Sequence, residues 1–179
     1  MTTALLIIDV QRALCSGEYE VFESRRVINR INQVAGLARQ AKVPVVVIQH
    51  EEPGSPMAYG AEGWTLDPKL QVQPGDTYIR KTTPDSFHNT DLLAALQARG
   101  INKLVICGLQ SEFCVDSTLR RALALGFPVT LVADAHSTMN NSVLTAAQIV
   151  AHQNDTASKM DSFGPRVRVV PASDVQFEI

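Results

Sequence analysis

At 179 residues, with 45% hydrophobic and 19% charged side chains, the chain has ordinary globular composition, which argues against both disorder and a membrane-spanning protein. A net charge of -2 without any Lys/Arg run argues against a nucleic-acid partner or an anionic membrane surface. The length suits one domain over residues 1–179, built on a single core.

An apolar run, Ala4 to Ile8, opens the chain and ends in Asp9; it reads as a strand covered on both faces. It lacks the basic start and small-residue cleavage site of a signal peptide, so a cytoplasmic location is expected. Val10 to Glu20 reads as a polar loop. From Ser24, a plausible cap, to Ala41, the residues Val27, Ile28, Ile31, Val34, Ala35 and Ala38 recur with helical period. Val43 to Ile48 is a second strand with Pro44 at its entry. Gln49 to Gly75, rich in proline and glycine and holding the only tryptophan, Trp64, reads as a long loop of functional rather than idle character.

Thr77 to Arg80 forms a third strand ending in Lys81, and a short helix around Leu92, Leu93 and Leu96 stops near Gly100. Lys103 to Cys107 is the fourth strand, Val115 to Leu125 its helix, and Pro128 to Val132 the fifth strand. A helix over Val143–His152 and a strand over Val167–Val170 complete the pattern. This alternation predicts a three-layer α/β/α, Rossmann-like domain with a parallel sheet and right-handed crossovers. Such sheets place ligands beyond the carboxyl ends of their strands, near the reversal of strand order. There is no G-x-G-x-x-G after the first strand and no P-loop, so nucleotide binding has no support.

The cysteines, Cys15, Cys107 and Cys114, match no zinc spacing and no C-x-x-C motif, which disfavours a disulfide framework or a thioredoxin-like role. Cys114 follows a strand and a Gly-containing turn, in or next to the first turn of a helix. Free N–H groups and the helix dipole there favour a thiolate. Two readings of Cys114 stand side by side, nucleophile and small buried hydrophobe. Cys15 also lies in a loop after a strand but has no helix N-terminus beside it, and ranks below Cys114. Asp9, Lys81 and Cys114 converge on one edge of the sheet. Singly each has a structural explanation; together they make a base, an electrostatic partner and a nucleophile.

These residues carry a resemblance. Leu6-Ile7-Ile8-Asp9-Val10-Gln11, Lys81 to Phe87, Thr90-Asp91-Leu92, Val132-Ala133-Asp134-Ala135 and above all Gly108-Leu109-Gln110-Ser111-Glu112-Phe113-Cys114-Val115 resemble the isochorismatase-like cysteine hydrolases. The resemblance implies a six-stranded parallel sheet of order 3-2-1-4-5-6 and a catalytic triad of Asp9, Lys81 and Cys114. It implies hydrolysis of a C–N bond in a small amide, lactam or carbamoyl compound through a thioester. Asp9 is expected to take the thiol proton, and the backbone N–H groups of Gln110 and Cys114 to bind the oxyanion. It also implies a cis Leu109–Gln110 peptide and a dimer or tetramer. Gln11, Trp64, Phe87 and Phe113 are candidate substrate-binding residues, with Phe113 equally readable as core and Trp64 as a subunit contact.

The nicotinamidase-type members of that family hold a metal on an aspartate and several histidines after the second strand. Gln49-His50-Glu51-Glu52-Pro53 offers one histidine there, so no metal and no other cofactor is expected, and the segment looks more like the metal-free, streptothricin-hydrolase-like branch. The alternatives are an isochorismatase-type vinyl-ether hydrolase, which needs an acid rather than a sulfur nucleophile, and a binding protein of the same fold without turnover.

Overall fold

The computed structural model describes residues 2–177. The strands are β1 (Thr3–Ile8), β2 (Val45–His50), β3 (Thr77–Lys81), β4 (Lys103–Leu109), β5 (Val129–Ser137) and β6 (Val167–Val170). They form one parallel sheet in the order β3-β2-β1-β4-β5-β6. This is the predicted order. The helices are α1 (Arg12–Cys15), α2 (Ser24–Gln40), α3 (Leu92–Ala98), α4 (Asp116–Ala124) and α5 (Ala146–Ser158). Among the described residues no helix is long and apolar enough to cross a membrane.

The three layers follow from the two-residue period of a strand set against the apolar runs. In β1, Ala4, Leu6 and Ile8 face one side and join Leu92 and Leu96 of α3 and Leu119, Ala122 and Leu123 of α4. Leu5 and Ile7 face the other side and meet Val27, Ile31, Val34 and Ala38 of α2. Ala4 through Ile8 have 0% exposure, which is why the central strand shows no polar alternation.

Several boundaries move. The segment expected to be a polar loop after Asp9 contains α1 and a 3-10 turn over Gly17–Tyr19. The fifth strand runs past Val132 to Ser137, because a register shift between Ile106 and Gly108 lets β5 continue beside β4. The last helix starts at Ala146 rather than Val143, since Thr145 and Gln148 form a reciprocal capping box there.

Strand order reverses between β1 and β4, and their carboxyl ends open a crevice. Gly108, at φ 124°, makes that junction tight: a Cβ there would collide with the backbone of Ile8. The residue after Ile8 is Asp9, and the turn after Gly108 leads to Cys114.

Candidate active site

Four strand ends line up along this edge. Asp9 follows β1 and adopts φ 53°, in the left-handed region that Asp tolerates better than most residues. His50 ends β2 and lies in register with Lys81, which ends β3. Cys114 comes after β4. Lys81 therefore stands two strand spacings from β1, about 10 Å, and its long side chain reaches past His50, at the end of β2, to Asp9.

The Lys81 ammonium lies 2.8 Å from Asp9 Oδ2, with side-chain exposures of 0% and 1%. It donates to Cys114 Sγ at 3.2 Å and sits 3.1 Å from His50 Nδ1. Its approach to Asp9 is close but off the line of a hydrogen bond, so both Asp9 carboxylate oxygens lack a hydrogen-bond partner among the described residues. A buried carboxylate with open lone pairs facing a cavity is prepared to accept a proton or a substrate N–H.

Burial works against the charge of Lys81, but Asp9 and then Cys114 outweigh it and hold the ammonium above the ordinary lysine value. His50 is pushed below the ordinary imidazole value by burial and then by Lys81. A neutral ring is thus free to accept from the ammonium at Nδ1. The Cys114 thiol is pushed up to about 12, first by burial and then by Asp9, with Lys81 only partly offsetting them.

That last shift corrects the expectation of a resting thiolate. Ser111–Val115 is a π-helical turn that runs directly into α4 at Asp116, so Cys114 does sit in the first helical turn, as expected, and only the state of its sulfur differs. Burial of the sulfur and the facing carboxylate dominate over any dipole. Cys114 is thus held towards the thiol, with the Asp9 carboxylate beside it.

The cavity above this group holds about 410 Å³ and is lined by Asp9, His50, Gln110, Phe113 and Cys114 on its floor and edge, with Glu52 and Met57 from the long loop. Leu14 of α1 and Tyr19 add a wall that periodicity alone did not reveal, because a single four-residue helix carries no amphipathic signal. Pro84 closes another side. Its segment is tied down by Ser86, whose amide donates to Thr118 Oγ1 (3.1 Å) and whose hydroxyl shares a 2.7 Å bond with the same atom.

Of the candidate substrate-binding residues, Phe113 lines the cavity and is 53% exposed. Gln11, Trp64 and Phe87 lie outside it. Gln11 is fully buried, and its amide donates to the His50 and Trp64 carbonyls (2.9 Å each) and accepts from the His50 amide at 2.8 Å. It braces β2 and the long loop instead of facing a ligand. Phe87 packs against Phe127 within the core cluster, 7% exposed, so its ring is turned away from the cavity. Trp64 packs edge-on to Tyr59 at 4.8 Å, and Tyr59 in turn lies under Arg80 at 3.7 Å. These contacts hold the loop over the cavity.

Cys15 is 6% exposed, and burial followed by Asp67 and Glu20 pushes its thiol up to about 12. It lines a separate groove with Asp67. Cys107 is wholly buried within β4, and burial pushes its thiol upward.

The Leu109–Gln110 peptide is cis, as the resemblance implied. It leads directly into the turn whose Gln110 and Cys114 border the cavity. The amides of Phe113 and Val115 donate back to the Gln110 carbonyl, 3.2 Å each, and close that turn.

Asp9, His50 and Cys114 each offer a ligand atom, and these atoms lie within 4.8 Å of one another. Those same three residues surround the Lys81 ammonium at 2.8–3.2 Å. The protein's own cation takes the central position, and a metal ion would have to displace it against charge repulsion. The sequence reads His50 as part of the long loop; its place opposite Lys81 follows from the β2–β3 register, for which the residue pattern carries no signal.

Residues 3–160 match the family described as the Isochorismatase domain. Over 136 residues, 75% of this chain and 49% of the relative, the sequence is 42% identical to a streptothricin hydrolase of Streptomyces noursei. The chain spans about half the length of the streptothricin hydrolases it matches. A ureidoacrylate amidohydrolase of Caulobacter segnis is 30% identical over 171 residues, covering 75% of this chain and 72% of that protein. A solved structure of an isochorismatase family protein superposes with a TM-score of 0.86 at 34% identity, covering 94% of this chain and 98% of that one.

Proposed function

The chain belongs to the isochorismatase family, and from that premise we propose that it is a cysteine-dependent hydrolase of a C–N bond in a small amide, lactam or carbamoyl compound. Two of its relatives are named as hydrolases, one of streptothricin and one a ureidoacrylate amidohydrolase, which supports the reaction class. The observation that carries the reading is a single ammonium, on Lys81, placed 2.8 Å from Asp9 and 3.2 Å from Cys114 at the floor of a cavity.

In this reading Asp9 takes the Cys114 proton as Sγ attacks the substrate carbonyl carbon. Because the thiol rests protonated, the transfer and the attack belong to one event, and no free thiolate has to be stored. Lys81 keeps Asp9 oriented and balances the negative charge as it passes from carboxylate to sulfur. The carbonyl π bond opens to an oxyanion, held by the amides of Gln110 and Cys114 where the turn meets the cavity. Collapse of that intermediate breaks the C–N bond, and protonated Asp9 gives its proton to the leaving nitrogen. A water molecule then attacks the thioester, with Asp9 again as base. The acid product leaves and the thiol is restored.

The reaction so written needs no metal, and the Lys81 ammonium at the centre of the ligand cluster supports that reading. A homo-oligomer is part of the same proposal, supported by the exposure of Phe113 at the cavity mouth; analytical ultracentrifugation tests it. The function itself is tested by incubating the protein with a panel of small amides, lactams and carbamoyl compounds, followed by NMR. Turnover that survives chelator and vanishes in Cys114→Ala is the expected result. Turnover retained by Cys114→Ala would overturn the sulfur mechanism.

A further inference from the structure

His136 is a buried titratable group that the chemistry above leaves unused. It stands on β5, 2% exposed, between Ser111 and Asn154. Its Nε2 is 2.9 Å from Asn154 Oδ1, and its Nδ1 is 2.8 Å from Ser111 Oγ. The Asn154 amide nitrogen donates to the Ala133 carbonyl at 3.0 Å, so Oδ1 is the atom turned to the ring and must accept. Nε2 therefore carries the proton and Nδ1 is the acceptor, which makes the Ser111 hydroxyl the donor.

The connectivity is that of a Ser–His–Asn relay, but Ser111 has 0% exposure and does not line the cavity. No substrate reaches its hydroxyl. What Ser111 does touch is the turn itself: it follows Gln110, the second residue of the cis peptide, and opens the π-helical turn that carries Cys114. Two further tethers hold the same turn to the same elements. Gln153 Nε2 of α5 donates to the Ser111 carbonyl at 3.4 Å, and Thr138 Oγ1, just beyond β5, donates to Glu112 Oε1 at 2.9 Å.

We propose that Ser111, His136 and Asn154 are positioning residues that fix the turn bearing the Gln110 and Cys114 amides, with the neutral Nε2–H tautomer of His136 as the piece that aligns it. The proposal rests on the oxyanion role given to those amides above. A protonated His136 would donate from both ring nitrogens, so the Ser111 hydroxyl would have to turn from donor to acceptor, and its proton would be freed to seek another partner inside the turn. The charged groups around the network are Asp134, paired with Arg30 (3.1 Å) on α2, Glu23, paired with Arg26 (2.5 Å), and Glu112, whose Oε1 accepts from Thr138 while its buried Oε2 has no hydrogen-bond partner among the described residues. Burial itself keeps His136 below the ordinary imidazole value, with Asn154 and Asp134 opposing.

The test uses the full chain and the best substrate from the panel. Ser111→Ala is expected to lower kcat about tenfold to a hundredfold, a part of what a lost oxyanion donor costs, with KM within about twofold. Alkylation of Cys114 by iodoacetamide, which needs no oxyanion donor, should stay within about twofold and serves with circular dichroism as the folding control. Asn154→Asp places a carboxylate on Nε2, favours the imidazolium and should move the acid limb of kcat to higher pH; a merely structural network would leave that limb in place. Nitrogen-15 shifts of wild-type His136 should report the Nε2–H tautomer at neutral pH. An imidazolium or the Nδ1–H tautomer there, or an unchanged kcat in folded Ser111→Ala, overturns the proposal. Absence of wild-type turnover across the panel would instead overturn the proposed function, and the nitrogen-15 measurement would still decide whether the network is set as described.

Discussion

At the scale of the residue, Asp9 and Lys81 act on Cys114 in opposite directions, and that opposition separates reactivity from turnover. Asp9 raises the Cys114 thiol and Lys81 lowers it. Asp9→Asn should therefore lower the thiol pKa, enlarge the thiolate fraction near neutral pH and speed iodoacetamide labelling of Cys114. The same change removes the proposed base, and turnover should fall by at least about a hundredfold. Lys81→Met should slow both. Labelling that slows in Asp9→Asn would contradict the charge balance described above. The pH dependence has a definite sign as well: with the thiol pushed up to about 12, the wild-type labelling rate should climb with pH, about tenfold per unit, without a plateau near pH 8 or 9. Cys15, buried beside Asp67, should label later; mass spectrometry of the singly labelled protein reads which sulfur reacted.

At the scale of the element, the two junctions that frame the site differ in how much change they tolerate. Gly108 has no room for a side chain, because β1 and β4 approach each other at Ile8. Gly108→Ala should shift the very strands that carry Asp9 and Cys114, and we expect loss of soluble folded protein or of both labelling and turnover; a folded, fully active variant would show that the junction can spread. The start of α5 is a local feature by contrast. Thr145 and Gln148 cap it reciprocally, and removing the cap by Thr145→Ala costs about 1 kcal/mol. For a chain of this length that lowers Tm by about 2–4 °C, and turnover should be unchanged because Thr145 is remote from the cavity lining. Differential scanning calorimetry of the variant checks it.

At the scale of the whole molecule, the field in the cavity follows from which charges the fold turns inward. Asp9 and Glu52 are the charged residues lining it, and Lys81 stands behind, already matched by Asp9. Neutral or cationic amides should thus be hydrolysed with a kcat/KM at least about tenfold above that of a carboxylate-bearing analogue; a preference for the anionic analogue would contradict this. The sequence by itself determined the layers and where β1 and β3 end, though not how far β5 runs. Apolar runs such as Ala4–Ile8 encode burial on both faces, and a parallel sheet then obliges Asp9, Lys81 and Cys114 to emerge at one edge. The tertiary structure alone decided how those ends meet. That Lys81 spans two strands to lie among Asp9, His50 and Cys114 depends on the register of β2 with β3, which hydrophobic periodicity does not specify. That Cys114 rests as a thiol depends on its desolvation, and that Gln11 serves as a brace and Phe87 as core depends on partners thirty or more residues away, His50 and Trp64 for Gln11 and Phe127 for Phe87. Local pattern fixes where a chain turns and which face it buries, whereas burial of a charge and the choice of a hydrogen-bond partner belong to contacts that exist only once the sheet has closed.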